Sequence, residues 1–228
     1  MKRLLIPIFV FVVGGMLLVL GVPRTIAAFI AIPGSVVLDK IQKLDVVTVE
    51  ELQMLIATQH RELVWNNSGR LQTDLGSSQI LLAEKYGQND SRRIEAIGKA
   101  IKSLKVGLSK APANPFAWTR LAYALALKDG VSAQSIAALI LGTELAPFEP
   151  RLAFARISFG FAAWRHLQPS ERELIFRQVR YLWNTWPHNK DLVKYAVKSG
   201  QVNFIRAALI PNPSELAKFE SLFQRASR

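Results

Sequence analysis

The chain is 228 residues long, half of them hydrophobic, with a mean hydropathy of +0.18 and a formal charge of +12 at neutral pH. That length holds a membrane segment and one ordinary domain with its own core. The lack of cysteine excludes disulfides and thiolate metal sites. The positive balance points to anionic partners: phospholipid headgroups, acidic polysaccharide or nucleic acid.

From Leu4 to Val22 run 19 residues without a charge. As a helix they span about 28 Å, close to the ~30 Å hydrocarbon core of a bilayer. Pro7 falls in the first turns, and Gly14 and Gly15 are tolerated because membrane helices use glycine freely. The competing reading is a signal peptide with Lys2 and Arg3 as its basic end and cleavage after Ala27 or Ala31. The apolar run exceeds the usual h-region of about 7–15 residues, so an uncleaved anchor is expected. Lys2 and Arg3 favour a cytoplasmic N-terminus and an exported domain, although Arg24 and Lys40 weaken the asymmetry. The uncharged stretch Thr25–Leu38, interrupted by Pro33-Gly34, is too short to span a second time. It is expected to lie along the bilayer or pack on the domain. The expected segments are therefore an anchor over 1–24, a juxtamembrane stretch over 25–47 and a helical domain over 48–228.

The remainder reads as consecutive helices. Thr48-Val49-Glu50-Glu51 is a capping box opening a helix to about Val64, stopped by Asn66-Asn67-Ser68-Gly69. A second helix covers about Leu71–Tyr86. A third begins at Asp90 or Ser91, with Ile94, Ile97, Ile101, Leu104 and Leu108 on one face and Arg92, Lys99, Lys102 and Lys105 left for the other. Asn114-Pro115 caps a helix to Lys128, and Ser132–Leu145 forms the next. Glu149-Pro150 starts one reaching about His166, and Ser170-Glu171-Arg172-Glu173 is read as a second capping box opening Glu171–Trp186. Shorter helices follow Asn189 and Gln201. Asn212-Pro213 caps the last, whose Leu216, Phe219, Phe223 and Ala226 share a face. No convincing strand alternation occurs, so the fold class is all-α.

The helices come in pairs with similar punctuation. Pro112, Pro147 and Pro187 are spaced 35 and 40 residues apart, near the 34-residue helix–turn–helix period of tetratricopeptide repeats. The stretch Pro115–Leu125 resembles a first tetratricopeptide helix, with Trp118, then Leu121, then Ala122 in the small-residue position. Ala137 and Ala138 supply small residues on the following helix, and Pro147 closes the unit. Over Phe154, Ile157, Ser158 and Phe161 the pattern departs. An antiparallel helix-pair, TPR-like α-solenoid behind a transmembrane helix is the expected architecture. The strings NPFAWTRLAYALAL, ELAPFEPRLAFARISFGFAAW and ERELIFRQVRYLWNTWP, within Ser91–Ser199, resemble the small membrane-anchored, tetratricopeptide-like proteins that accompany bacterial envelope or exopolysaccharide synthesis. The resemblance implies an inner-membrane assembly partner of polysaccharide production or export, and it transfers no catalytic residue.

Nothing in the sequence assembles catalysis. His60, His166 and His188 are isolated from metal-ligand spacing, and no phosphate loop, dinucleotide fingerprint or nucleophile elbow is present, so no cofactor is expected. The Glu50–Glu51 and Glu171–Glu173 pairs fall in first helical turns, where the helix dipole favours negative charge. Two surfaces remain for binding. Arg172, Arg177, Arg180, Trp183, Trp186, Lys190, Lys194 and Lys198 interleave cations with aromatics, as an anionic glycan or lipid would require. The bland reading is a solvated edge over a core Trp183 and Tyr181, with Arg177 paired to Glu173. Lys99, Lys102, Lys105 and Lys110 form a second series, facing either solvent or anionic lipid. The expected function is a non-catalytic adaptor acting through protein–protein contacts, with direct glycan or lipid binding as the alternative. Nucleic acid fits poorly with an exported domain.

Overall fold

The computed structural model describes residues 2–227, leaving out the terminal residues of the expected 1–24 and 48–228 segments. The side chains of residues 2–10 and of Leu20 are outside the described set, and the orientation signal of Lys2 and Arg3 falls there. Among the described residues there are eleven α-helices, one 3₁₀ turn and no strand. The chain folds as two compact units, Met1–Pro112 and Ala113–Arg228, where the sequence reading ran one domain from 48 onward.

Unit 1 contains α1 (Lys2–Gln42), α2 (Val49–Trp65), α3 (Gly69–Glu84) and α4 (Ser91–Lys110). α1 is one continuous helix of 41 residues. Its Phe11–Gln42 portion is apolar and long enough to cross a bilayer, with mean hydropathy 2.0 over its most apolar stretch and 6% of that stretch buried. Pro33-Gly34 does not divide it, so most of the expected juxtamembrane segment is the second half of the same helix. Gly34 serves packing instead. A Cβ there would stand 3.0 Å from Leu55 Cδ1 and 3.3 Å from Thr58 Cγ2, so its absence lets α2 lie close. Val37, Val47, Leu52 and Leu55 are buried between the two helices.

The Thr48 cap forms as read: the Glu51 amide donates to Thr48 Oγ1 at 3.2 Å, and the Thr48 amide donates to Glu51 Oε2 at 2.9 Å. Lys40 also pairs with Glu51, and the two contacts together hold this carboxyl below its ordinary pKa. α3 and α4 make the tightest hairpin of the unit. Cβ atoms on Gly76 and Gly107 would stand 2.7 Å from Leu104 Cγ and 2.8 Å from Thr73 Oγ1. Of the expected apolar stripe on α4, Ile97, Leu104 and Leu108 are buried, whereas Ile94 is 60% exposed.

Unit 2 contains α5 (Pro115–Asp129), α6 (Ala133–Leu145), α7 (Pro150–Ala162), the 3₁₀ turn Trp164–His166, α8 (Pro169–Trp183), α9 (His188–Ser199), α10 (Val202–Leu209) and α11 (Pro213–Ala226). Asn114 Oδ1 accepts from the amides of Phe116 and Ala117, with Pro115 in the first turn. The second capping box sits two residues earlier than expected. Gln168 precedes α8, Pro169 occupies its first turn, and the Gln168 amide donates to Glu171 Oε2 at 2.7 Å. A proline can begin a helix because its missing N–H would be unpaired there anyway.

In the α5–α6 hairpin Ala122 and Ala138 are buried but Ala137 is exposed. The closest approach belongs to Gly142, where a Cβ would stand 3.0 Å from Trp118 Cβ. α7 and α8 are antiparallel, with Gly160 against Ile175. Phe219 of α11 is fully buried, edge-on to Trp183 with ring centroids 5.7 Å apart. Arg206 ties α10 to α11 through Glu220, at 2.6 and 2.8 Å.

Candidate functional site

In unit 1, α2, α3 and α4 enclose an open groove of about 700 Å³. The amphipathic spacing of the helices makes its floor: Ile56 and Leu63 from α2, Leu75 and Leu82 from α3, Ala96 and Val106 from α4. Below them Ser103 Oγ donates to the buried Gln79 Oε1 at 3.0 Å, fixing α3 against α4. The rim is largely cationic. Lys99 and Lys102 stand along α4, and His60 faces them from α2. Lys99 shares its charge with Glu95 at 2.6 Å. Arg92 lies 4.6 Å over the Tyr86 ring and pairs with Asp90 at 2.7 Å, which holds the Asp90 carboxyl below its ordinary range. The groove is thus an apolar trough with cations along its edge.

A second, smaller cavity of about 290 Å³ lies where α1, α2 and α3 meet. Gln59, 3% exposed, has an Oε1 without a hydrogen-bond partner. Burial, with a smaller contribution from the charge of Asp74, pushes the Glu62 carboxyl up.

In unit 2 the expected anionic-ligand residues separate into two groups. Arg172, Arg180 and Trp183 are engaged internally. Arg172 lies 5.2 Å over the Trp164 ring and donates to the Trp164 carbonyl. Arg180 donates to the Ala208 carbonyl at 3.1 Å and pairs with Glu173, seven residues before it, where the bland reading paired Glu173 with Arg177. Trp183 is buried and its Nε1 donates to Glu215 Oε2 at 2.8 Å. Arg177, Trp186, Lys190, Lys194 and Lys198 are exposed, Trp186 by 75%. Lys194 lies 3.8 Å from Asp191. Of the lysine series, Lys99 and Lys102 line the unit 1 groove, and Lys110 donates to the Asn67 carbonyl at 2.7 Å.

Among the repeat-signature residues, Leu121 and Ala122 are core, Trp118 is half-buried, and Pro147 offers its carbonyl to Gln178 Nε2 at 3.0 Å. Sequence reasoning passed over the groove, because its walls come from three helices and each contributes only ordinary amphipathic spacing. The one available signal was His60, an imidazole on the helix that also carries Ile56 and Leu63. Among the described residues no group of three or more His, Asp or Glu side chains could hold a metal.

Comparison with protein-family models, with curated proteins and with solved structures returns no match.

Proposed function

We propose that this chain is a non-catalytic, membrane-anchored helical adaptor, with tetratricopeptide-like helix pairs, that supports envelope or exopolysaccharide synthesis and export by docking a protein component. The observation that carries the adaptor reading is the unit 1 groove, whose apolar floor and cationic rim lie in the same compact unit as a helix apolar enough to cross a bilayer. A groove between helices is how an amphipathic partner helix is gripped: its apolar face fills the floor and its acidic flank meets the rim. The polysaccharide setting rests on the resemblance of the Ser91–Ser199 strings alone. The tetratricopeptide-like reading draws on the α5–α6 hairpin, with Leu121 and Ala122 in its core and Pro147 past its end. The anchor is read as an inner-membrane one with a cytoplasmic N-terminus, on the strength of Lys2 and Arg3.

A second reading, direct binding of an anionic glycan or lipid, draws on the exposed Trp186 with Arg177, Lys190, Lys194 and Lys198 in the same unit. One experiment separates the two. A photo-crosslinking residue is placed at Leu63 or Val106 in the groove, or at Trp186, in the full chain in its native membrane. The adaptor reading expects groove probes to capture one envelope polysaccharide protein and Trp186 probes to capture none. Capture of glycan or lipid at Trp186, with nothing at the groove, rejects the adaptor in favour of the second reading.

A further inference from the structure

The α1–α2 register fixes which end of unit 1 lies nearest the uncharged run of α1. The two helices run antiparallel, since Gly34 lies against Leu55 and Thr58 while Lys40, further along α1, pairs with Glu51. Carried the other way, that register sets Val64 and Trp65 level with residues 25–27 of α1, where Ala27 is 2% exposed. This level is three to five residues beyond Val22, the end of the uncharged run. At 1.5 Å per residue that is about 5–8 Å, roughly the depth of the headgroup layer. α1 is helical throughout, so the domain cannot drift far from that height.

The start of α3 and the end of α4 complete this end of the unit. Lys110 Nζ donates to the Asn67 carbonyl at 2.7 Å, and a Cβ on Gly69 would stand 3.2 Å from Lys110 Cβ. Val64 is 80% exposed and Trp65 45% exposed here, two apolar side chains left facing outward. Charge is polarised along the same axis. From Arg24 to Pro112, the half of the unit nearer this end carries Arg24, Arg61, Arg70, Lys102, Lys105 and Lys110 against two acids, Glu62 and Asp74. The far half carries seven acidic and six basic residues. Tryptophan is favoured at headgroup depth because one part of its ring is apolar and its N–H is polar, and nearby cations are attracted by anionic lipid.

We propose that the end of unit 1 formed by Val64, Trp65, Arg61, Arg70 and Lys110 rests in the headgroup layer of the bilayer that α1 crosses and binds its anionic lipids. The proposal depends on α1 spanning the membrane. A protein partner fits less well, because the span itself delivers this surface to the interface.

The absence of cysteine makes the test direct. Val64→Cys and Glu50→Cys, each labelled with an environment-sensitive fluorophore, are compared in the full chain reconstituted into vesicles rich in phosphatidylglycerol. The two sites are fourteen residues apart on α2, or about 21 Å. The label at Val64→Cys is expected to be blue-shifted and quenched by spin-labelled lipid, and the label at Glu50→Cys to behave as in water. Replacing Arg61, Arg70 and Lys110 together with Gln is expected to lower the quenching at Val64→Cys by about twofold or more, as is exchanging phosphatidylglycerol for phosphatidylcholine. Equal water exposure at the two sites, in a chain that resists alkaline carbonate extraction, overturns the surface proposal and leaves the span standing. Release of the chain by carbonate overturns the span and the proposal with it.

Discussion

Arg156 joins three parts of unit 2 from a buried position. It is fully buried on α7, on the face that also carries Ala153, Ile157 and Gly160, and the charge of Glu149 offsets part of the cost of burying it. Its guanidinium donates to the carbonyls of Gly142 at 2.6 Å and Ala146 at 2.8 Å, and to Gln178 Oε1 at 3.2 Å, while Nε has no partner. These carbonyls belong to the last turn of α6 and the residue after it, where backbone acceptors are left over and the helix dipole favours a cation. Burial pushes the Arg156 pKa down to about 10, still far enough above neutrality to keep the side chain charged. Arg156→Met keeps much of the volume but takes the arginine donors away from two carbonyls and from Gln178 Oε1 in a buried site. The expected loss is about 2–4 kcal/mol of unit 2 stability, read by urea unfolding. A change below about 0.5 kcal/mol would mean that water replaces the guanidinium at little cost. The sequence carried a hint of this residue: positions 153, 156, 157 and 160 are spaced as one helix face, and an arginine among apolar neighbours on such a face must find partners. Those partners are far away in sequence, on α6 and α8, so the hint does not name them.

At the scale of elements, glycine has opposite meanings within one helix. α4 holds both Gly98 and Gly107. A Cβ on Gly98 meets nothing within 4 Å, whereas one on Gly107 would stand 2.8 Å from Thr73 Oγ1, 3.0 Å from the Gly69 carbonyl and 3.2 Å from the Thr73 amide nitrogen. Gly98→Ala is therefore expected to stabilise the chain by about 0.5–1 kcal/mol through helix propensity. Gly107→Ala pushes α3 and α4 apart against backbone that cannot swing away, at a cost of about 1–3 kcal/mol. Thermal unfolding of the two variants side by side gives the sign directly, and a stabilised Gly107→Ala would refute the close approach. Helix positions were legible because their signals are local. The Thr48 and Asn114 caps, Pro150 and the α11 start are read from a few neighbouring residues. The misplaced box at Ser170 shows the limit: Gln168 and Pro169 offered a second start two residues earlier, and the helix took the one that let Glu171 reach back to an amide. Pro33-Gly34 was misread for a similar reason, since its role depends on Leu55 and Thr58 of another helix.

At the scale of the molecule, the boundary between units was the hardest feature to read. Ala111-Pro112-Ala113-Asn114-Pro115 links α4 to α5, and Ala146-Pro147-Phe148-Glu149-Pro150 links α6 to α7, with nearly the same punctuation. The first is a division between compact units and the second an ordinary turn inside one. What distinguishes them is which helices pack on which, and punctuation does not encode that. The Arg177–Lys198 surface has the same difficulty: Arg180 and Trp183 share its composition but are held by Ala208 and Glu215, residues that lie close only once the chain is folded. Within unit 2 both members of each decisive pair are present: Arg156 with Gln178, Trp183 with Glu215, and Arg206 with Glu220. Its core runs from Ala122 to Phe219. Residues 113–228, cut free of the anchor, are therefore expected to fold as a helical domain that unfolds in a single urea transition with a slope of about 1–2 kcal/mol per molar. Arg156→Met should lower the midpoint of this fragment just as it lowers that of unit 2 in the full chain. A fragment with helical circular dichroism but no cooperative transition would show that unit 2 borrows its order from elsewhere in the chain, and the division at Pro112 would then have no thermodynamic meaning.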